Sequence, residues 1–464
     1  MEPNQPFAQR GRALLAALCA PRDLSALVAF RIAFGAMMAF GLTRFVAKGW
    51  IEKVLVEPTF FFKYPGLEWV AVIGPSGLYA VYAVATLAAV AIAIGLYYRW
   101  ATIVFFFCFL YLQLLDVSLY LNHYYLVLIL AGILTFLPLE GMLSMDAWRR
   151  PELRRESFPA WATYLLRFQV AIVYIFAALA KAHPDWLLHG QPLTLWMRAR
   201  TDLPVLGPML DAPGFGLLLS WLGFLYDATI WAFLLISRTR VWAYAVVLVF
   251  HGMTAAFFEI GMFPVIMAVA TTVFFEPSWP RSLLGRLWPS PRVPDRSGGS
   301  RRLPAWLAAV LAVYVIVQVA LPLRHYVLPG DVLWNERGMR FAWKVMVREK
   351  NGSVTYRVRV AGRTRPIEVS ALDYLTWRQF SDISGQPDLI LQLGQHVAWD
   401  LERRGYGKVE HVGADVWVSL NGRPPIPLVD PEVDLRTVGG GTSLNRWLLP
   451  GPQNPPPASF GWLR

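Results

Sequence analysis

A lysine amine can work as a base near neutral pH only where burial keeps part of it uncharged, and Lys181 follows the apolar run Val170 to Ala180 directly. There it could take a proton from a weak acid such as a quinol or a phenol. The other reading has its ammonium snorkel to a membrane edge beside Trp186. His123 stands in Leu121-Asn122-His123-Tyr124, and Asp116 precedes it by seven residues in the turn between two apolar runs. A tight hairpin there would bring Asp116, Asn122 and His123 to the same rim as Lys181, as site groups or as helix caps and backbone partners. His251, in Phe250-His251-Gly252-Met253, lies within an apolar run with Glu259 eight residues on, and is either a ligand contact or an interhelical hydrogen-bond partner. Arg31, Arg167 and Asp227 are charges inside apolar runs and read as paired structural charges. The chain contains no H-E-x-x-H, no C-x-x-C, no G-x-x-x-x-G-K-[ST] and no G-x-S-x-G, so a tight metal site, ATP hydrolysis and serine hydrolysis lose their usual footholds.

The elements that position these groups must be membrane helices. Of 464 residues 56% are apolar and only 16% charged, with mean hydropathy +0.42, whereas a soluble chain carries about 25% charged residues. Nine runs approach the length of about 20 residues that a bilayer requires: roughly 25–45, 78–98, 101–117, 123–139, 158–180, 215–235, 241–258, 261–275 and 303–321. The third, fourth and eighth are short. With the N-terminus inside, sixteen Lys and Arg fall in the inner segments, Arg149, Arg150, Arg154 and Arg155 among them. Six fall in the outer loops before the last span: Lys48, Lys53, Lys63, Lys181, Arg198 and Arg200. That bias explains the net charge of +12 without nucleic acid and puts the C-terminal region outside. The expected fold is a mainly α polytopic helical bundle of about nine spans with a C-terminal extramembrane α+β domain. Residues 1–24 are read as a cytoplasmic segment with an interfacial helix, 25–323 as the transmembrane domain, 330–437 as a β-rich outer domain and 438–464 as a Gly/Pro-rich tail. In the outer domain, 343–349, 353–360 and 364–369 alternate as strands, 377–404 is a helix broken near Gly385-Gln386-Pro387, and 415–420 with 427–429 suggests a hairpin.

Several ordered motifs resemble the vitamin K-dependent γ-glutamyl carboxylase family, whose bacterial relatives are called HTTM-domain proteins. They are Val173-Tyr174-Ile175-Phe176-Ala177-Ala178-Leu179-Ala180-Lys181 followed by Asp185-Trp186; Leu115-Asp116 leading to Asn122-His123-x-Tyr125-Leu126; and His251-Gly252-Met253 followed by Ile260-Gly261-Met262-Phe263. In the outer region Trp334-x8-Trp343-x2-Met346, Asp415-Val416-Trp417-Val418-Ser419-Leu420-Asn421 and Asp430-Pro431-x-Val433-Asp434 are similar too. The resemblance runs from about Leu24 to Leu435. It implies that Lys181 deprotonates vitamin K hydroquinone, that O2 converts the anion to the epoxide through a strong base, and that this base deprotonates a peptide glutamate for CO2 addition. His123 then belongs to the carbanion and carboxylation steps. Asn122, Asp116 and His251 would sit around the quinol. Trp334, Trp343, Met346 and Arg348 would hold the glutamate-bearing segment; the other reading has the tryptophans packed in the sheet and Arg348 exposed to solvent.

The chain departs from animal members in carrying Ala180 where they have a second lysine, in having only Cys19 and Cys108, and in lacking most of the long extension that they carry beyond the position of Leu435. Vitamin K hydroquinone or a menaquinol-like quinol is therefore the expected cofactor, O2 and CO2 the co-substrates, with no metal. The bilayer and a Glu-containing peptide are the expected partners, in a bacterial inner membrane. Two rivals stay open: a quinol epoxidase without carboxylation, and a non-catalytic transporter or receptor.

Overall fold

The computed structural model describes residues 11, 13, 15–202, 207–285, 303–439 and 447–459. Among them the nine apolar runs form helices α1 (Ser25–Ala47), α2 (Pro75–Ile94), α3 (Tyr98–Leu114), α4 (Asn122–Phe136), α5 (Trp161–Lys181), α6 (Phe215–Leu235), α7 (Arg240–Phe257), α8 (Phe263–Thr271) and α9 (Ala305–Leu323). Six of these, α1, α2, α5, α6, α7 and α9, are long and apolar enough to cross a bilayer. The other three have 17, 15 and 9 residues and fall below the roughly 20 residues that a span of about 30 Å needs. The polytopic helical class stands, with six rather than nine helices meeting the length of a span.

One end of the bundle is closed by arginines that cap helix carbonyls. Arg31, fully buried, donates to Leu139 O at 3.1 Å, Ala93 O at 3.4 Å and Leu143 O at 2.6 Å. Arg167 donates to Val273 O, Phe274 O and Phe275 O, and Arg240 to Leu234 O and Leu235 O. The last carbonyls of a helix lack intrahelical donors, and a guanidinium satisfies several at once. Arg31 and Arg167 are thus held by carbonyls, not by the carboxylates that pairing of structural charges would require. Near Arg31, α1 packs on α2 through Gly35, where a Cβ would come within 2.5 Å of Ala93 N.

The opposite end carries a four-stranded antiparallel sheet. Its strands are β1 (Lys350–Val360), β2 (Ile367–Ser370), β3 (Val409–Leu420) and β4 (Ile426–Pro427), in the order β2-β1-β3-β4. Val354, Tyr356 and Val358 of β1 lie opposite Val416, Ala414 and Val412 of β3, all buried on one face. Helices α10 (Trp377–Ile383) and α11 (Pro387–Arg403) break at 384–386 as expected, and α11 buries Leu389, Leu393, Val397 and Leu401 against the sheet. The strand expected at 343–349 does not form. That stretch belongs to an irregular strap with left-handed backbone at Phe341, Trp343 and Met346, and it leaves the sheet to stack Trp343 on Tyr125 of α4 at 4.9 Å. Residues 15–19 are helical, while 1–10, 12 and 14 of the expected interfacial segment lie outside the described residues.

Two buried contacts join sheet and bundle. Arg423 donates to both oxygens of Asp185 at 2.6 and 2.7 Å, and Asn421 adds a hydrogen bond at 2.8 Å. Gln379 of α10 donates to Asp116 Oδ2 at 2.9 Å and to Phe60 O at 2.8 Å. Removing one partner of a buried, hydrogen-bonded ion pair costs roughly 3–5 kcal/mol because the other is left uncompensated. Arg423→Met should therefore lower the thermal midpoint in detergent and speed proteolysis of the sheet region, with Asp185→Asn added to it recovering part of the loss.

Candidate active site

Lys181 is the last residue of α5, and its Nζ lies 2.5 Å from Oδ2 of Asp227, midway along α6. Both are buried, at 7% and 5% exposure. The ammonium also lies 5.4 Å from the centre of the Trp186 ring, which is fixed by its Nε1 donating to Ser220 O at 2.7 Å. The pair borders a cavity of about 170 Å³ whose other walls are mostly apolar: Val173 and Ala177 of α5, Gly223 of α6, Phe250 of α7 and Phe263 of α8. Snorkelling beside Trp186 is not what the geometry gives; the side chain is held inside the protein by a carboxylate.

His251 also faces this cavity. Its Nε2 lies 3.4 Å from the Tyr174 hydroxyl and 3.5 Å from the Tyr226 hydroxyl, and its Nδ1 has no hydrogen-bond partner among the described residues. The interhelical reading of His251 matches its contacts, which join α7 to α5 and α6, and the side chain also lines the cavity.

His123 and Asn122 stand across a wall. They line a second cavity of about 430 Å³ enclosed by α1, α2, α3, α4 and α8. Four residues line both cavities: Ile260, Phe263, Val345 and Met346. The Phe263 ring lies between the two histidines, 5.9 Å from His123 and 5.6 Å from His251. The His123 nitrogens have no hydrogen-bond partner among the described residues. Asn122 accepts from the Tyr120 hydroxyl at 3.0 Å and donates to Lys344 O at 3.2 Å, so the start of α4 is tied to the strap.

Beyond Asn122 lies a polar recess of about 380 Å³, lined by Lys344, Arg348, Arg340 and Arg378 with Glu336 and Asp382. Leu121, Asn122 and Arg378 belong to both the recess and the second cavity. Arg348 is bound to Glu336 at 2.5 and 3.0 Å, and Arg340 to Asp388 at 2.6 Å. Lys344 and Arg378 make no side-chain hydrogen bond or ion pair among the described residues. Burial pushes the Lys344 ammonium down to about 8, and it pushes the Asp382 carboxyl up to about 6 against the pull of Arg378 and Arg348.

The remaining expected site residues fall in different places. Met346 sits on the shared wall and Arg348 in the recess. Trp343 is in the bundle core, against Tyr125, and Trp334 is in the sheet-side core, its Nε1 donating to Leu449 O at 2.9 Å. Asp116 borders none of the three spaces and serves the junction with Gln379. Burial pushes its carboxyl up, while hydrogen bonds from Ser118 and Gln379 oppose that shift.

Residues 19–279 match the HTTM domain, and residues 303–454 match the vitamin K-dependent gamma-carboxylase lumenal domain. The chain belongs to the vitamin K-dependent carboxylase family. No solved structure matches it. Within this carboxylase-family frame, sequence reasoning read Asp227 as a paired charge without naming Lys181 as its partner, and did not single out Lys344 or Arg378. The signal for Asp227 was present: a carboxylate deep in an apolar helix needs a cation, and Lys181 is the cation at the end of the helix packed beside it. No comparable signal marks Lys344 or Arg378, whose roles depend on where the strap and α10 run.

The ion pair can be tested without any substrate. Lys181→Met and Asp227→Leu should each cost roughly 3–5 kcal/mol, and the double variant should cost less than either single change. Thermal unfolding of the four proteins in nanodiscs measures that coupling.

Proposed function

We propose that this protein is an integral-membrane enzyme that uses a hydroquinone, O2 and CO2 to carboxylate the γ-carbon of a peptide glutamate. The observation that carries the reading is the row of three adjoining spaces: an apolar cavity with a buried amine, a chamber with a histidine free of hydrogen-bond partners among the described residues, and a cation-lined recess. The cavity at Lys181 suits the ring of a hydroquinone, since its walls are apolar and its one basic amine stands at the edge of the space. When bound, the hydroquinone supplies, with O2, the base needed for a γ-proton and ends as its epoxide.

In its uncharged form, Lys181 takes the first proton, from a quinol hydroxyl to Nζ. Asp227 is placed to hold the resulting ammonium, so that the proton transfer leaves no unpaired cation in an apolar site. Phe263, Ile260, Val345 and Met346 line both cavities, so the quinol and the γ-carbon would meet at this apolar wall. In the recess, Lys344 and Arg378 are positioned to receive a carboxylate, because Arg348 and Arg340 already serve Glu336 and Asp388. His123 then faces the carbon that loses its proton and gains the bond to CO2, and with no other hydrogen-bond partner among the described residues it can serve either proton transfer or charge stabilisation there. The sheet end is assigned to the outside of a bacterial inner membrane and the N-terminus to the cytoplasm, on the charge bias of the loops.

Purified protein in nanodiscs, given vitamin K hydroquinone, O2, labelled bicarbonate and a short Glu peptide, should yield epoxide and fixed label together, and Lys181→Ala should lose both. Epoxide without label would leave a quinol epoxidase; neither product from folded protein would overturn the reading. The recess adds a pH signature. Lys344 carries its charge below about pH 8 and loses it above, so the KM for the peptide should rise several-fold as pH passes 8, and Lys344→Met should remove that rise.

A further inference from the structure

The Lys181 cavity is bordered by large side chains toward both ends of the bundle. Toward the sheet it is covered by Trp186, Leu193 and Met197. The roof continues in Trp196, packed edge-on against Phe258 at 5.7 Å, and in Arg200, which donates to Phe257 O at 2.7 Å and pins the end of α7 beneath it. Toward the other end of the bundle, Tyr226 of α6 is stacked on Phe250 of α7 at 3.8 Å, and Arg240 clasps the Leu234 and Leu235 carbonyls at the turn between these helices. Between α6 and α7, two side chains that line the cavity are also exposed on the apolar exterior. Leu222 is 53% and Met253 48% exposed, and both line the cavity together with Leu219 and Phe257. A side chain that borders a cavity and is half exposed stands at a mouth, and this mouth lies on two helices of membrane-spanning length.

Size adds a second constraint. At about 170 Å³ the cavity is of the order of the 150 Å³ apolar cavity that takes a single benzene. It has room for an aromatic head group and none for a long hydrocarbon chain. A ligand with both must leave its chain in the mouth.

Resting on the reading of this cavity as a quinol site, we propose that it is loaded sideways from the bilayer through a portal between α6 and α7, rimmed by Leu219, Leu222, Met253 and Phe257, and that the portal holds the first part of an isoprenoid tail. The portal selects for lipid-soluble ligands, since an aqueous solute meets the roof formed by Leu193, Met197 and Phe258. It also leaves the tail length open, because the chain beyond the rim lies among lipids.

The test uses the full chain in nanodiscs with a photoreactive benzoylphenylalanine at position 222, and the same residue at Leu225, one turn along α6, exposed and outside the cavity lining. Both positions should crosslink to lipid. A tailed naphthoquinone should suppress crosslinking at 222 and leave 225 unchanged, whereas tail-less menadione should suppress neither. Equal suppression at both positions, or none at 222, would overturn the portal. Kinetics give an independent arm: Leu222→Trp and Met253→Trp should lower kcat/KM at least ten-fold for menaquinol-4 and less than three-fold for menadiol, with Leu225→Trp indistinguishable from wild type. Equal losses for the two quinols would also overturn it. Epoxide formation by the unaltered protein reports separately on the quinol reading. If that product is absent while the tailed compound still protects position 222, the portal stands and the assigned reaction falls.

Discussion

Neither an ammonium nor a carboxylate can be left alone among hydrocarbon side chains, and the contact between Lys181 and Asp227 is where this protein meets that constraint. Desolvating two charges is offset only when they are close and well oriented, so the last turn of α5 is locked to the middle of α6. The next few residues extend the consequence. Asp185 takes the bidentate contact of Arg423 that seats the sheet, and Trp186 walls the cavity while hydrogen-bonded to α6. The short stretch from Lys181 to Trp186 thus carries a buried amine, a junction between bundle and sheet, and an apolar wall. A change in the ion pair reaches all three.

The two ends of the bundle are held by different physics. At the end away from the sheet, Arg31, Arg167 and Arg240 fill the carbonyl ends of helices, a rigid arrangement in which one cation satisfies several acceptors. At the sheet end, closure depends on the strap. Phe341, Trp343 and Met346 adopt left-handed backbone, which costs of order 1–3 kcal/mol for each bulky residue and persists only where the surroundings over-determine it. The surroundings here are Tyr125, on which Trp343 stacks, the Tyr120 hydroxyl, which accepts from Phe341 N at 2.8 Å, and Asn122, which donates to Lys344 O. The strained path puts Val345 and Met346 between the two cavities and turns Lys344 into the recess.

Much of the fold was legible because its signals are local. A run of apolar residues must be helical if it lies in lipid, since no water is there to satisfy the backbone, and each of the nine runs is a helix. Period-two alternation marked Ser353 to Val360 as a strand, and Gly385-Gln386-Pro387 marked the break between α10 and α11. The same alternation failed at 343–349, where cross-strand pairing never forms because Trp343 has a better burial site against Tyr125 of the bundle.

Taken alone, the sequence determined the membrane class, the helix positions, the basic residue at the end of α5 and the family motifs around it, since these follow from composition, periodicity and neighbours in the chain. Only the tertiary structure decided that Asp227 is the partner of Lys181, that His123 and Asn122 face a separate chamber behind Phe263 and Met346, that Asp116 serves a junction, and that Lys344 and Arg378 line a recess. The physical reason is that a charge in an apolar helix announces a need for a partner without saying which helix will supply it, and helix packing, set by shape over the whole bundle, makes that choice.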